Sequence, residues 1–328
     1  MNPLFDKLTG KAVKKKDISV EEAMGLYKEG QKDPFMLMAC SSKIREHFKG
    51  SAVSLCGIVN AKSGVCQENC RFCAQSGHYH TEAPVYPLMS AEEIGEKGRE
   101  AHENGAHMFS IVTSGTRVST AGEWETIYRA IGLINASGAL SCASLGMLDK
   151  KTAGDLRNAG LYRYHHNLET SRSFFDQICS THDYEEDIQT VKNAREAGLT
   201  VCSGGIIGLG ETMAQRVEMA MTLRELDVDS VPINILNAIP GTPLEGIAPL
   251  APMEILLTVA LYRFILPDKD IKLCGGKEKN LRQLLPLAIV AGCNSLMTGN
   301  YLTTLGRDTA NDLEMINDLG MTAKLEGR

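Results

Sequence analysis

"AVSLCGIVNAKSGVCQENCRFCAQS", residues 52–76, joins two unlike halves. Its first nine residues are uncharged and mostly small, apolar or β-branched, the make-up of a buried strand. The remainder is a Gly-flanked polar loop that sets Cys66, Cys70 and Cys73 in C-x3-C-x2-C spacing. The fold depends on whether the first half recurs. Seven more apolar runs follow: MFSIVTSG from 108, LSCASLG from 140, YRYHHNLE from 162, TVCSGGIIGLG from 200, VPINIL from 231, IKLCGG from 271 and NSLMTGN from 294.

Helical patterns lie between these runs, at 91–104, 121–136, 151–158 and 184–197. Ser90 with Glu93 and Thr120 with Glu123 form capping pairs that open the first two. Alternation of strand and helix, with strands apolar on both faces, argues for a parallel sheet. A count of eight runs favours an α/β fold of the closed (β/α)8 TIM type over an open doubly wound sheet.

The first 50 residues read as a separate helical extension, with a capping box at Ser19/Glu22 and an amphipathic stretch at 35–48. The expected division is therefore 1–50, the extension, and 51–328, the barrel. No Gly/Pro-rich linker divides the latter. The one such stretch, AIPGTPLEGIAPLAPME at 238–254, reads as a long loop after the sixth strand that ends at a helix.

Composition is that of a soluble globular chain, with 43% hydrophobic and 23% charged residues. A net charge of −6, with only Lys14–Lys16 clustered, argues against nucleic acid as a partner. The longest apolar run, near 284–292, is broken by Pro286 and is too short for a membrane span. No secretory pattern opens the chain, so a cytoplasmic location is expected. Ten cysteines in a reducing compartment read as thiols or metal ligands rather than bridges.

Three clustered thiols are too few for an all-cysteine zinc site. His78 or His80 would complete a Cys3His site, which keeps zinc open, and plain packing is a third reading. A cubane iron-sulfur cluster on three thiolates leaves one iron free for a further ligand, which accounts for the odd number. A loop that follows the first strand also lies at the C-terminal mouth of such a barrel, where active sites are built.

The loop, with Phe72 ahead of its last cysteine, resembles the signature of radical S-adenosylmethionine enzymes. The remainder is similar to the biotin synthase family through YHHNLETS (164–171), VCSGGIIGLGET (201–212), SVPINIL (230–236) and GTPL (241–244). The resemblance implies a 4Fe-4S cluster on Cys66, Cys70 and Cys73 that binds S-adenosylmethionine and generates a 5'-deoxyadenosyl radical. In the family, that radical removes hydrogen from dethiobiotin and sulfur from a second cluster is inserted. It further implies Phe72, Asn167, Glu169 and Gly205 as cofactor contacts. Asn234 and His165 become substrate contacts, with His165 standing where asparagine is common and Glu169 where many members have Asp. An electron donor such as flavodoxin or ferredoxin and a homodimer are implied as well.

Relatives hold the second cluster as 2Fe-2S with three cysteines and an arginine. Cys142 and Cys202 match two of those positions, but Ser110 and Lys272 stand at the others. Cys56 and Cys274 occur where they could compensate. Counted along the runs, Cys56, Cys142, Cys202 and Cys274 fall on strands one, three, five and seven. Alternate staves fill one interior layer, so the four can form a ring. The expectation is a 4Fe-type auxiliary cluster, with an extra sulfide if only three thiols bind iron; 2Fe-2S and simple packing of the barrel centre are the alternatives. Cys40, Cys179 and Cys293 have no motif context and read as ordinary buried thiols. Rival functions are another radical enzyme of the maturase or mutase kind, and a non-catalytic zinc- or cluster-binding scaffold.

Overall fold

The apolar runs meet edge to edge in the computed structural model, which describes residues 2–325. The staves are β1 (Ala52–Lys62), β2 (Met108–Thr113), β3 (Leu140–Ser144), β4 (Arg163–His165), the pair β5 (Thr200–Cys202) and β6 (Gly205–Ile207), β7 (Ser230–Ile235), β8 (Asp270–Leu273) and β9 (Ser295–Met297). All neighbours run parallel, and β9 pairs back onto β1 at Ser54↔Ser295 through Cys56↔Met297, which closes an eight-stave barrel.

The fifth stave is one run in sequence but two strands in space. Cys202 pairs with Ser230 and Gly205 with Ile233, so Pro232 falls opposite the gap. A proline offers no N–H to the ladder, and a side chain at Gly204 would strike the Pro232 carbonyl. A further strand absent from the sequence reading, β10 (Thr322–Ala323), adds to the start of β1. Beyond it Leu325 packs against Cys56, Met108 and Cys142 at the N-terminal end of the barrel.

Amphipathic helices wrap the sheet. Capping boxes form at Ser19/Glu22, Ser90/Glu93 and Thr120/Glu123, and also at Asp183/Glu186 and Thr212/Gln215. The first three helices, Pro3–Val13, Val20–Lys32 and Pro34–Lys49, pack on Pro252–Ile265, whose residues from Ile255 to Ile265 are all buried.

Register tells which side chains look inward, because paired residues of a parallel sheet share a face and successive ones alternate. Ile58 pairs with Ser110, Ser110 with Cys142 and Cys142 with Arg163. His165 pairs with Cys202, and Cys202 with Ser230. Pro232 pairs with Lys272 and Lys272 with Ser295. Cys56, Cys142 and Cys202 thus share the inner face with Lys272. Cys274 stands one residue past the end of β8 rather than on it, with the parity of Lys272.

The glycine-rich turn above β6 is held by one carboxylate. Glu211 accepts from the amides of Gly208 and Leu209 at 2.8 and 2.7 Å and from Arg216 Nε at 2.6 Å, with both side chains buried. Glu211→Ala strands two amides and leaves Arg216 with Glu254 at 2.8 Å and Thr258 Oγ1 at 3.3 Å. The expected loss is about 3 kcal/mol, read as a lowered urea midpoint at unchanged m-value.

Candidate functional site

Side chains at the C-terminal ends of the staves and the loops above them enclose a cavity of about 440 Å³. Cys66, Cys70 and Cys73 reach it from the loop after β1. That loop is tied to itself: Cys66 N donates to the Gln75 carbonyl at 2.9 Å, Gly77 N to the Cys66 carbonyl at 2.8 Å, and Cys73 N to the Cys70 carbonyl at 2.9 Å. Gly64 takes φ +85° and Val65 φ +52°, a left-handed turn that starts the loop.

The three sulfurs do not sit at single-ion spacing. Among the described residues, the one trio of Cys, His, Asp or Glu donors within 4.8 Å of one another is Glu68, Cys179 and His182. His78 is turned onto the Gln67 carbonyl at 2.9 Å, and among the described residues neither it nor His80 gathers with the loop cysteines at single-ion spacing. The wider spacing suits a polynuclear cluster, with each thiolate on a different metal.

Opposite the cysteine loop stand Asn167, Glu169 and Asn234. Glu169 holds φ +59°, a conformation that a residue with a Cβ adopts only when its surroundings impose it. Part of that imposition comes from Gly205: Ile206 N donates to the Glu169 carbonyl at 2.8 Å, and a Cβ at Gly205 would lie 2.4 Å from that carbonyl oxygen. Gly205 is therefore a support for Glu169, and its own carbonyl accepts from Asn234 Nδ2 at 3.3 Å. Phe72 is not on the cavity wall; it packs behind the loop on the apolar cluster of Ile178, Leu209 and Leu244. Burial, with Asp187 adding to it, pushes the Glu169 carboxyl up to about 8.

Beneath lies the barrel floor. Cys56, Cys142, Cys202 and Cys274 are all fully buried, and Lys272 Nζ stands 4.0 Å from Cys202 Sγ. Burial opposes the Lys272 charge, but the sulfurs of Cys202, Cys56 and Cys274 outweigh it and raise its pKa. Burial pushes the Cys142 and Cys274 thiols up. Ser110 Oγ, Ser230 Oγ, His165 Nε2 and Arg163 Nη1 are buried without a hydrogen-bond partner. Burial, with Lys272 and Arg163 adding, keeps His165 neutral by lowering its pKa well below that of free imidazole. Four thiols, two cations and several orphaned polar atoms fit a polynuclear anionic group better than they fit one another.

The reading of Cys179 as an ordinary thiol needs correction. Its sulfur lies 3.8 Å from Cys70 Sγ, 3.3 Å from His182 Nδ1 and 3.5 Å from Asn69 Oδ1. His182 Nδ1 also faces Glu68 Oε2 at 2.8 Å, and its Nε2 faces Asp187 Oδ2 at 3.3 Å. Asp187 in turn bonds His166 Nε2 at 2.8 Å. Spacing rules could not find this group, since more than a hundred positions separate Glu68 from Cys179. A Cys-x2-His pair in the loop above the fourth stave, at the active end of a barrel, was the available signal.

Comparison with known proteins agrees with this architecture. A radical SAM superfamily model matches residues 61–223, and a biotin and thiamin synthesis associated domain matches 232–322. The chain is 51% identical to a biotin synthase of Geobacter metallireducens, with 97% of each chain covered. It is 52% identical to one of Geobacter sulfurreducens at the same coverage. Among solved structures, a methylornithine synthase superposes with a TM-score of 0.83 at 20% identity over 97% of both chains. An [FeFe]-hydrogenase maturase of Carboxydothermus hydrogenoformans superposes at 0.79 and 18% identity, over 97% of this chain and 78% of that one. At those identities the two structures speak for the fold alone.

Glu169 carries a pH signature. Its folded pKa of about 8 lies above the ordinary 4.5, so the folded protein holds an extra proton between those values and loses stability as pH rises through that window. Denaturation of cluster-free protein across pH 5 to 8 is expected to show that decline, and Glu169→Gln is expected to flatten it.

Proposed function

This chain belongs to the biotin synthase family of radical S-adenosylmethionine enzymes, and from that premise we propose how its own residues divide the work of inserting sulfur into dethiobiotin. The family's 4Fe-4S cluster and S-adenosylmethionine come with membership. When bound, the loop cluster supplies the electron that breaks the cofactor's sulfonium bond, and the auxiliary cluster supplies the sulfur atom. Everything else is positioning and exclusion by the protein.

Cys66, Cys70 and Cys73 hold the loop cluster, with Phe72 bracing the loop from behind. Asn167 and Glu169, whose side chains lie 3.4 Å apart, receive the cofactor ribose. Gly205 keeps the Glu169 backbone in place. Asn234, with Nδ2 on the Gly205 carbonyl and Oδ1 on the Gly275 amide at 3.1 Å, presents a fixed amide to the substrate's ureido group. His165, neutral and with Nε2 free, faces the same space from β4. The cavity walls exclude water from the reacting carbons. An exposed Val65 next to Cys66 leaves a short path for an electron from a flavodoxin or ferredoxin. The homodimer also belongs to this reading, with exposed Phe35 and Val20 as apolar surface for a second copy to cover.

The observation that carries the assignment is the stack itself: three thiols at the mouth and, below them, Cys56, Cys142 and Cys202 inward on alternate staves, with Cys274 one residue past the end of β8. Cys56, Cys142, Cys202 and Cys274 around Lys272 are the proposed cradle of the auxiliary cluster, and four sulfurs rather than three favour the 4Fe type. Cys202→Ser and Cys142→Ser are expected to lose about four irons per chain and biotin formation, yet still release 5'-deoxyadenosine. Cys70→Ser is expected to lose both products. Mössbauer spectra of anaerobically reconstituted protein test the cluster type: a second cluster typed as 2Fe-2S overturns the 4Fe assignment.

A further inference from the structure

Glu68, Cys179 and His182 belong to neither cluster, and their donor atoms converge. His182 Nδ1 is 2.8 Å from Glu68 Oε2 and 3.3 Å from Cys179 Sγ, and all three donors lie within 4.8 Å of one another. A tetrahedral zinc with bonds of about 2.0 to 2.3 Å needs donors roughly 3.3 to 3.7 Å apart. Only small side-chain adjustments separate the trio from that arrangement. One thiolate, one imidazole and one carboxylate make a borderline-soft set suited to zinc or ferrous iron rather than to magnesium or calcium.

A second feature points the same way. Behind His182, the nearly fully buried Asp187 stands 3.3 Å from Nε2, and His166 at 2.8 Å from the other oxygen orients that carboxylate. A carboxylate on the far nitrogen is what fixes a metal-binding histidine's tautomer and ring direction. Glu68 and His182 line the mouth cavity, so an ion has a route in from solvent, while Cys179 is 4% exposed.

We propose that Glu68, Cys179 and His182 form a separate divalent-metal site, for zinc or ferrous iron, that staples the cysteine loop to the segment above the fourth stave. The two segments already touch through Arg71 N on the Ile178 carbonyl at 3.0 Å and Asn69 N on Thr181 Oγ1 at 3.1 Å. An ion at their junction pins the loop at Glu68, two residues before Cys70. Its role is to hold a cluster ligand in place, with no part in the radical chemistry. Water from the mouth completes the coordination.

Zinc is the probe, because its X-ray absorption edge is separate from that of iron. Holoenzyme carrying its clusters is equilibrated with zinc, desalted, and analysed for metal content and zinc-edge fine structure. The expected result is one zinc per chain with a single sulfur at about 2.3 Å and the remaining ligands nitrogen or oxygen. Cys179→Ser is expected to lose the sulfur shell and His182→Gln most of the zinc. Zinc is also expected to slow chelator-driven bleaching of the wild-type loop cluster several-fold, with no such protection in Cys179→Ser. Retention of less than stoichiometric zinc by the wild-type holoenzyme overturns the proposal, as does zinc bound by three sulfurs, which places it on the loop cysteines instead.

Discussion

A closed barrel of eight staves has room inside for only a few layers of side chains, and alternation along each strand decides which residues fill them. In a barrel whose interior is structural, those layers are Val, Ile and Leu. Here they are Cys56, Ser110, Cys142, Arg163, His165, Cys202, Ser230 and Lys272. Cohesion has moved to the other face of the same strands, where Leu55, Ile111, Ala143, Tyr164, Val201, Val231, Leu273 and Leu296 are buried under the helices. Stability comes from the sheet's outer side, which leaves the inner side available for chemistry.

That division has an electrostatic consequence. Lys272 and Arg163 are both buried inside the barrel, and among the described residues the carboxylate in ion-pair contact with Arg163 is Asp270, 3.8 Å from its Nη2 and shared with Lys49 at 3.2 Å. Buried cations are tolerated when something anionic accompanies them. In the protein alone the groups nearest Lys272 are buried cysteines, and burial holds the protons on the Cys142 and Cys274 thiols. Ser110, Ser230 and His165 wait with unused hydrogen-bonding atoms in the same space. An anionic iron-sulfur group would satisfy all of these at once, so binding it and stabilising the fold are linked. At the mouth the tension takes another form: the strained backbone of Glu169 persists because Ile206 N bonds its carbonyl and Gly205 leaves room for the approach.

Much of this was legible in sequence. Eight apolar runs, the capping boxes and the long loop at 238–254 all follow from local pattern, which is why the barrel could be counted before it was seen. Parity within strands was legible too, and it places Cys274 with Lys272 and the other three thiols on one face. What stayed hidden depended on pairing between distant segments. Pro232 splits the fifth stave only because it falls opposite Gly204, and Leu325 closes the base only because β10 adds to β1. The grouping of Cys179 with Glu68 and His182 required knowing that the loop above β4 folds onto the cysteine loop. The packing of the Phe72 ring on the cluster of Ile178, Leu209 and Leu244 was likewise hidden, since its motif gives only its place beside Cys73.

On the proposed cluster assignment, Lys272 is where the scaffold would accept a change of ligand. An ammonium is a compact charge on a flexible stem, and it lacks the planar fork with which a guanidinium addresses a metal-bound sulfide. With Lys272 at the arginine position, the seventh stave can still present a sulfur inward two residues on, at Cys274, because parity repeats every second residue. Cys56 does the same for the first stave, beside the stave that carries Ser110. On that proposal, Ser110 and Lys272 each have a cysteine on the inner face nearby. In a parallel barrel such compensation can come only from residues two apart on one stave or level with each other on adjacent staves. Cys274 meets that condition, since it follows Lys272 by two, whereas Cys56 is level with Met108 and so lies one inward position below Ser110, whose level partner on the first stave is Ile58.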